Sequence, residues 1–185
     1  MFVRRLLRRR NRVTDAAESK ARVGFARSAA RRVLKKKGVT SPGTPIAEIV
    51  VDLGYRLLEL DWPQGASGIL LEEKKVIAVN ANHAAVRRRF SAAHELGHIC
   101  LNHDLWFDDN HLVSIDSPPI GGFEGRPPVP EREADIFAAE LLMPLAVLKR
   151  VATRGTRPQE LAQAFEVSEE AMFHSLTTHR LLGKL

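Results

Sequence analysis

Two histidines and a glutamate in the middle of the chain have the spacing of a metal-dependent hydrolytic site. The segment reads His94-Glu95-Leu96-Gly97-His98, within an apolar run that predicts a helix. On a helix His94 and His98 lie one turn apart on the same face, so both imidazoles can bind one ion. Two neutral imidazoles and one further ligand leave a position on Zn²⁺ for water, and the carboxylate of Glu95 can take a proton from that water.

A third ligand is needed, and its place in the sequence distinguishes classes of zinc peptidase. The metzincin class has a glycine and then a histidine at fixed positions after the second histidine, where this chain has Leu101 and Asp104. A second predicted helix downstream offers Glu131 as the preferred ligand and Glu133 as the alternative. Asp135 lies one turn from Glu131 on the same face, so it can orient a metal-binding histidine.

The two segments together resemble one known family. The residues that carry the resemblance are Arg89-Phe90 ahead of His94-Glu95-Leu96-Gly97-His98, followed by Glu131-x-x-Ala134-Asp135-x-Phe137-Ala138-Ala139-Glu140-Leu141-Leu142-Met143-Pro144. In this order they resemble the ImmA/IrrE family of zinc metallo-endopeptidases. The resemblance implies a Zn²⁺ cofactor and a zincin-like fold in which a glutamate completes the site. It places the family's glutamate ligand on Glu131 and its Asn or Asp on Asp135.

The predicted elements indicate an α+β fold with three parts. We expect a basic N-terminal arm and helix (1–39), a zincin-like metallopeptidase domain (40–150) and a C-terminal helical segment similar to a helix-turn-helix (151–185). The central part should contain a small antiparallel or mixed sheet, with a strand at residues 55–60 and a hairpin of Gly68–Leu71 and Val76–Asn80. The open edge of such a hairpin can pair with an extended substrate.

Composition and cysteine usage exclude several classes of protein. The content of 44% hydrophobic and 27% charged residues is ordinary for a globular domain, and 185 residues are enough for one core. No apolar run of about 18 residues occurs, so we expect no transmembrane helix. A single cysteine, Cys100, excludes an internal disulfide and fits the reducing cytoplasm, where we place the protein.

Positive charge is concentrated at the N-terminus. Residues 1–37 contain 14 Lys and Arg against 2 Asp and Glu, although the whole chain has a net charge of only +6. Such a segment can bind nucleic acid, but it lacks the interleaved aromatic residues that stack on bases. We therefore favour a solvated tail followed by a scaffold helix, from about residue 16 to Lys37-Gly38.

Residues 102–130 predict a long irregular segment between the metal-binding positions, which we interpret as a mobile rim of the site. His103 and His111 lie near or in it, and either could stabilise a developing oxyanion. Tyr55, the single tyrosine, is a further candidate for that role. An ordinary structural role is more typical of each residue, and we assign no oxyanion-stabilising residue.

The C-terminal segment has the pattern of two short helices joined by a turn. Leu161 and Phe165 lie on the apolar face of the first, and Met172 lies on that of the second. Glu169 and Glu170 begin the second helix, where they would repel DNA phosphates. We therefore interpret the segment as a helical cap packed on the peptidase domain.

The family resemblance implies a zinc-dependent endopeptidase that cleaves a specific partner protein. The expected partner is a helix-turn-helix transcriptional repressor in mobile-element, toxin–antitoxin or stress-response regulation. Glu95 would act as general base and then as proton donor to the leaving amine. Two alternatives stay open: a zinc-containing module that sequesters its repressor without cleavage, and a regulator that binds DNA directly through the basic arm or the C-terminal segment.

Overall fold

A small mixed sheet and a set of helices make up the described part of the computed structural model, residues 20–61, 67–103 and 128–185. The strands are β1 (Arg56–Leu60), β2 (Gly68–Leu71) and β3 (Val76–Asn80), in the spatial order β1-β3-β2. β3 pairs in parallel with β1 and antiparallel with β2. The prediction of an α+β fold with a small sheet is confirmed.

The β2–β3 hairpin has the bounds that the sequence predicts. A turn of 3₁₀ helix at Glu72–Lys74 joins the strands, and Lys75 follows it with a φ of 50°. All five residues of β3 are buried, since β3 lies in the middle of the sheet. β2 is therefore an edge strand among the described residues.

Among the described residues two helices precede the sheet: α1 (Val23–Lys37) and α2 (Ile46–Asp52). α1 ends at Gly38, whose φ of 73° suits a residue without a side chain. The predicted start near residue 16 is wrong for residues 20–22, which are not helical, and residues 16–19 lie outside the described ranges. Arg22 is held instead by Glu133, which accepts a hydrogen bond from its backbone N–H.

The central helices α3 (Ala85–Leu101) and α4 (Val129–Leu142) pack directly against each other. Asn102 ends α3 with a φ of 53°, and Pro144 follows the end of α4. Five apolar side chains of α4 are fully buried, and they are Ala134, Phe137, Ala138, Leu141 and Leu142. The predicted rim lies largely in residues 104–127, outside the described ranges.

Three α-helices follow, α5 (Leu145–Val151), α6 (Pro158–Phe165) and α7 (Glu169–Thr178), and a turn of 3₁₀ helix lies at Leu182–Lys184. The Ser168 hydroxyl accepts a hydrogen bond from the Ala171 N–H and caps α7. Phe165 of α6 and Met172 of α7 belong to the same hydrophobic core as Phe137 of α4. No helix among the described residues is both long enough and apolar enough to cross a membrane.

Candidate metal centre

Helix α3 holds His94 and His98 side by side on a buried face. Their Nε2 atoms are 3.0 Å apart, and both side chains are almost fully shielded from solvent. The helical repeat accounts for this arrangement because residues four apart lie one above the other. Ala93 and Leu96 on the same helix are fully buried, so the core holds the helix and the two rings with it.

Glu131 reaches the same point from helix α4. Its Oε2 atom lies 3.3 Å from His94 Nε2 and 3.8 Å from His98 Nε2. Zinc bonds of about 2.0–2.2 Å place tetrahedral ligand atoms about 3.3–3.6 Å apart. The three separations in this cluster lie on both sides of that range, so these atoms fit a zinc ion. Three protein ligands would leave a fourth position for water or substrate.

His98 is kept neutral, as metal binding requires. Burial lowers the pKa of His98, and the neighbouring rings of His94 and His103 lower it further, to about 2. At neutral pH His98 therefore carries no proton that would have to leave before a metal could bind. The two Nε2 atoms can both present lone pairs to one point.

Asp135 supports His94 from the side opposite Glu131. Its Oδ1 atom lies 3.0 Å from His94 Nδ1. A proton on Nδ1 would be donated to this carboxylate, which leaves Nε2 free to bind a metal. Asp135 remains 53% exposed, whereas Glu131 is 13% exposed. One turn of helix α4 thus supplies both carboxylates that contact His94.

Glu95 belongs to helix α3, and its side chain is buried against strand β2. A Cβ added to Gly68 would lie only 3.0 Å from Glu95 Oε1, so the carboxylate packs closely against the backbone of this strand. Glycine at the first position of β2 makes room for it. Glu95 is therefore held beside the edge strand and next in sequence to His94.

Glu133, the alternative ligand, is engaged elsewhere. Its side chain is 0% exposed and accepts hydrogen bonds from Arg22, from the backbone N–H at 2.7 Å and from Nη2 at 2.7 Å. Burial acts to raise the pKa of Glu133, but the hydrogen bonds from Arg22 and His103 outweigh it and bring the pKa to about 2. Two residues along a helix correspond to a rotation of about 200°, so Glu131 and Glu133 face in different directions. Glu131 remains our proposed ligand.

His103 lies behind His98, where the sequence did not place it. The turn at Asn102 brings the His103 N–H to the His98 carbonyl oxygen, at 3.1 Å. The side chain of His103 makes two contacts. Its Nδ1 atom lies 3.1 Å from His98 Nδ1, and its Nε2 atom lies 3.2 Å from Glu133 Oε2. In the sequence, the one indication of the contact between His98 and His103 is that His103 follows His98 by five residues. Nothing in the sequence pointed to Arg22.

Tyr55, another candidate for oxyanion stabilisation, is engaged away from this cluster. The Tyr55 hydroxyl donates to the Glu72 carboxylate at 2.6 Å and accepts from Lys75 Nζ at 3.1 Å, at the turn of the hairpin. His111 lies outside the described residues.

Sequence comparison identifies the family. Residues 51–177 match the model of the peptidase M78 family, described as the IrrE N-terminal-like domain. The match covers more than half of the chain and includes His94, His98 and Glu131 together with Glu95 and Asp135. The chain belongs to the IrrE N-terminal-like peptidase family.

One known relative agrees with this membership, and one solved structure has a similar fold. The chain is 34% identical over 131 residues to the radiation response metalloprotease IrrE of Deinococcus radiodurans, over 69% of this chain and 37% of that protein. Its fold is similar to that of a Mycobacterium tuberculosis transcriptional regulator, with a TM-score of 0.62 and 21% identity over 83% of this chain and 46% of that one. The chain thus spans less than half the length of both proteins.

Proposed function

We propose that this member of the IrrE N-terminal-like family is a zinc-dependent endopeptidase that cleaves one specific partner protein. The observation that carries the proposal is the convergence of three ligand atoms, from His94, His98 and Glu131, within 4.8 Å of one another. Glu95 follows His94 directly on the same helix and is buried with it. A site that served only to stabilise the fold would have no use for this carboxylate.

His94, His98 and Glu131 would hold a zinc ion, which would supply Lewis acidity to the scissile carbonyl and to the attacking water. Glu95 takes one proton from the attacking water as the oxygen bonds to the carbonyl carbon. The same carboxyl group then gives this proton to the amide nitrogen as the C–N bond breaks, so Glu95 returns to its ionised form. Asp135 keeps the proton of His94 on Nδ1 throughout.

The surroundings of Glu95 suit an extended peptide. Strand β2 pairs with β3 along one edge, and among the described residues its other edge has no partner strand. A substrate strand added to that edge would have its backbone aligned beside Glu95, because the Gly68 position of β2 touches this carboxylate. Main-chain pairing would hold the scissile bond, and side-chain pockets would supply selectivity.

A cleft next to Asp135 offers such a pocket. It has a volume of about 460 Å³ and lies between helices α3 and α4 on one side and the C-terminal helix α7 on the other. Phe90, Ile136 and Met143 line its apolar part, and His174 of α7 contributes a polar group. The C-terminal helices would therefore take part in substrate recognition as well as in packing.

The substrate that we propose is a helix-turn-helix transcriptional repressor that acts in a mobile element, a toxin–antitoxin module or a stress response. The proposal is supported by the family resemblance and by the relative from Deinococcus radiodurans, whose name records a radiation response. Cleavage of the repressor would release its target genes.

The proposal is tested by proteolysis of a candidate helix-turn-helix regulator, chosen first from any encoded beside this protein. Zinc-loaded wild type, chelator-treated wild type and zinc-loaded Glu95→Gln are compared on the purified regulator. We expect cleavage by the first preparation alone, because the substitution keeps the shape of Glu95 but removes its capacity to take a proton. Mass spectrometry of the fragments would locate the cleaved bond.

Other outcomes identify the alternatives. An intact regulator that binds wild type and Glu95→Gln with equal affinity would favour sequestration and refute the peptidase. Salt-sensitive binding of duplex DNA by the protein alone would favour a direct DNA-binding regulator. Within the described residues the basic side chains of Arg22, Arg31 and Lys37 are paired with carboxylates, which does not favour this second outcome.

A further inference from the structure

A chain of hydrogen-bonded side chains runs from His98 to the protein surface at the start of helix α1. Its members, in order, are His98, His103, Glu133 and Arg22, and we name it the His98–Arg22 chain. The separations are 3.1 Å between the two Nδ1 atoms, 3.2 Å from His103 Nε2 to Glu133 Oε2, and 2.7 Å from that oxygen to Arg22 Nη2. The first three side chains are almost fully buried, and Arg22 is 57% exposed.

The order of donors and acceptors along this chain follows from its geometry. His98 Nε2 faces His94 and Glu131, so a metal at that point needs the lone pair of Nε2 and leaves the proton of a neutral ring on Nδ1. His98 Nδ1 then donates to His103 Nδ1. His103 in turn carries its proton on Nε2 and donates to Glu133 Oε2. Each ring has one donor and one acceptor in use, so the chain is consistent from end to end.

Arg22 makes it possible for Glu133 to accept. An ionised carboxylate that is fully buried is costly unless it is paired and hydrogen-bonded. Arg22 supplies both, through its backbone N–H and its Nε to Oε1, at 2.7 and 2.9 Å, and through Nη2 to Oε2. The guanidinium also lies over the ring of Phe25, 4.6 Å from its centre, which limits its movement.

We propose that His103, Glu133 and Arg22 are positioning residues for His98, holding its ring with Nε2 toward the metal and its proton on Nδ1. The inference rests on the proposed function, in which His98 is a metal ligand. The other histidine is supported in a shorter way, because Asp135 accepts directly from His94 Nδ1. A carboxylate therefore supports each of the two histidine ligands. Asp135 contacts His94 directly, and Glu133 acts on His98 through His103.

This proposal makes the N-terminal segment part of the metal centre. Arg22 lies 111 residues from Glu133 in sequence and outside residues 51–177, which match the family model. Helix α1 packs along α4, so the backbone of Arg22 is fixed relative to α4, the helix that carries Glu131 and Glu133. The basic segment thus contributes a side chain that completes a site formed by the rest of the chain.

Zinc affinity is the direct test. The dissociation constant of zinc is measured by competition with a chromophoric chelator for wild type, Glu133→Gln and Arg22→Gln. We expect Glu133→Gln to weaken zinc binding by about 10- to 100-fold and Arg22→Gln by about 10-fold, because such partners tune the ligand they support. The visible absorption of the Co²⁺-substituted proteins should change in parallel, since it reports the geometry of the ligands.

Arg31→Gln is the matched control. Arg31 pairs with Glu140 at 2.9 Å, joins the same two helices and is 52% exposed, but makes no contact with the His98–Arg22 chain. Thermal unfolding of the metal-free proteins shows how much each substitution weakens the packing of α1. We expect Arg31→Gln and Arg22→Gln to lose similar stability, while only Arg22→Gln loses zinc affinity.

Three results would overturn the inference. The first is a zinc dissociation constant for both Glu133→Gln and Arg22→Gln within about twofold of wild type. The second is an equal loss of affinity in Arg31→Gln, which would assign the effect to helix packing. The third is a wild type that binds no zinc, which would refute the proposed metal centre together with this inference. The first two leave the metal centre standing. If Glu133→Gln does not fold, the zinc dissociation constant of Arg22→Gln, a substitution at a half-exposed position, still tests the inference.

Discussion

Gly97 of helix α3 lies against Ala134 of helix α4 with no space for a side chain between them. A Cβ added to Gly97 would be 3.0 Å from the Ala134 Cα atom and 3.2 Å from its Cβ and carbonyl oxygen. Gly97 directly precedes His98, and Ala134 directly precedes Asp135. The close approach at this point is what lets the carboxylates of α4 reach the histidines of α3.

Gly97→Ala should therefore separate the two helices. Alanine gains about 1 kcal/mol in helix propensity, but overpacking against backbone atoms costs about 1–3 kcal/mol, so we expect a net loss of stability. Zinc binding should weaken as well, because Glu131 moves away from the histidines. Chemical denaturation and chelator competition measure the two effects. Gly24→Ala on α1, where a Cβ meets nothing within 4 Å, is the control and should be neutral or stabilising. Unchanged zinc affinity in Gly97→Ala would contradict the argument.

Gly68→Ala should displace the carboxylate of Glu95 and leave the fold intact. The added Cβ would meet Glu95 Oε1 at 3.0 Å and the Ser91 Cβ at 3.2 Å, and the first of these is the mobile end of a long side chain. We expect kcat to fall by at least about tenfold, since the general base is misplaced, while zinc affinity and the unfolding midpoint stay close to wild type. Steady-state kinetics, with a regulator that the wild type cleaves as the substrate, provide the measurement. A variant with wild-type kcat would show that Glu95 has no fixed position in the reaction.

Asp135→Asn should weaken zinc binding by about tenfold or more. The amide oxygen can still accept a hydrogen bond from the Nδ1–H group of His94, but it lacks the charge that makes the ring a better ligand. Chelator competition gives the dissociation constant. Asp52→Asn is a suitable control because Asp52 is similarly exposed and pairs with Lys37, away from the metal centre. Equal zinc affinity in Asp135→Asn and wild type would remove Asp135 from the site.

Removal of the metal should lower the unfolding temperature of wild type. A ligand present at about 100 times its dissociation constant stabilises the native state by about 2.7 kcal/mol, and chelation withdraws this stabilisation. His98→Ala, which lacks one ligand, should show little response to either zinc or chelator. Differential scanning calorimetry with and without chelator makes the comparison. A wild type whose midpoint is indifferent to zinc would argue against a metal centre at His94, His98 and Glu131.

Short-range patterns were enough to predict most of the elements near the site. The β2–β3 hairpin has the predicted bounds. Helices α3 and α4 lie where the apolar periodicity of the sequence indicated. The side-chain period of a helix also separates Glu131 from Glu133, since it turns them in different directions. Each of these properties depends on residues within a turn or two of each other.

The sequence alone thus determined that His94 and His98 share a face, that a carboxylate follows on a second helix, and that the fold mixes helices with a small sheet. The tertiary structure decided the parallel pairing of β1 with β3, the late start of α1 and the place of His103 behind His98. It also joined Arg22 to Glu133, across 111 residues of sequence. The reason is physical: periodicity reports which face of an element is apolar, but not which distant side chain meets a given buried carboxylate. That meeting depends on how the elements pack, and here on the contact of α1 with α4.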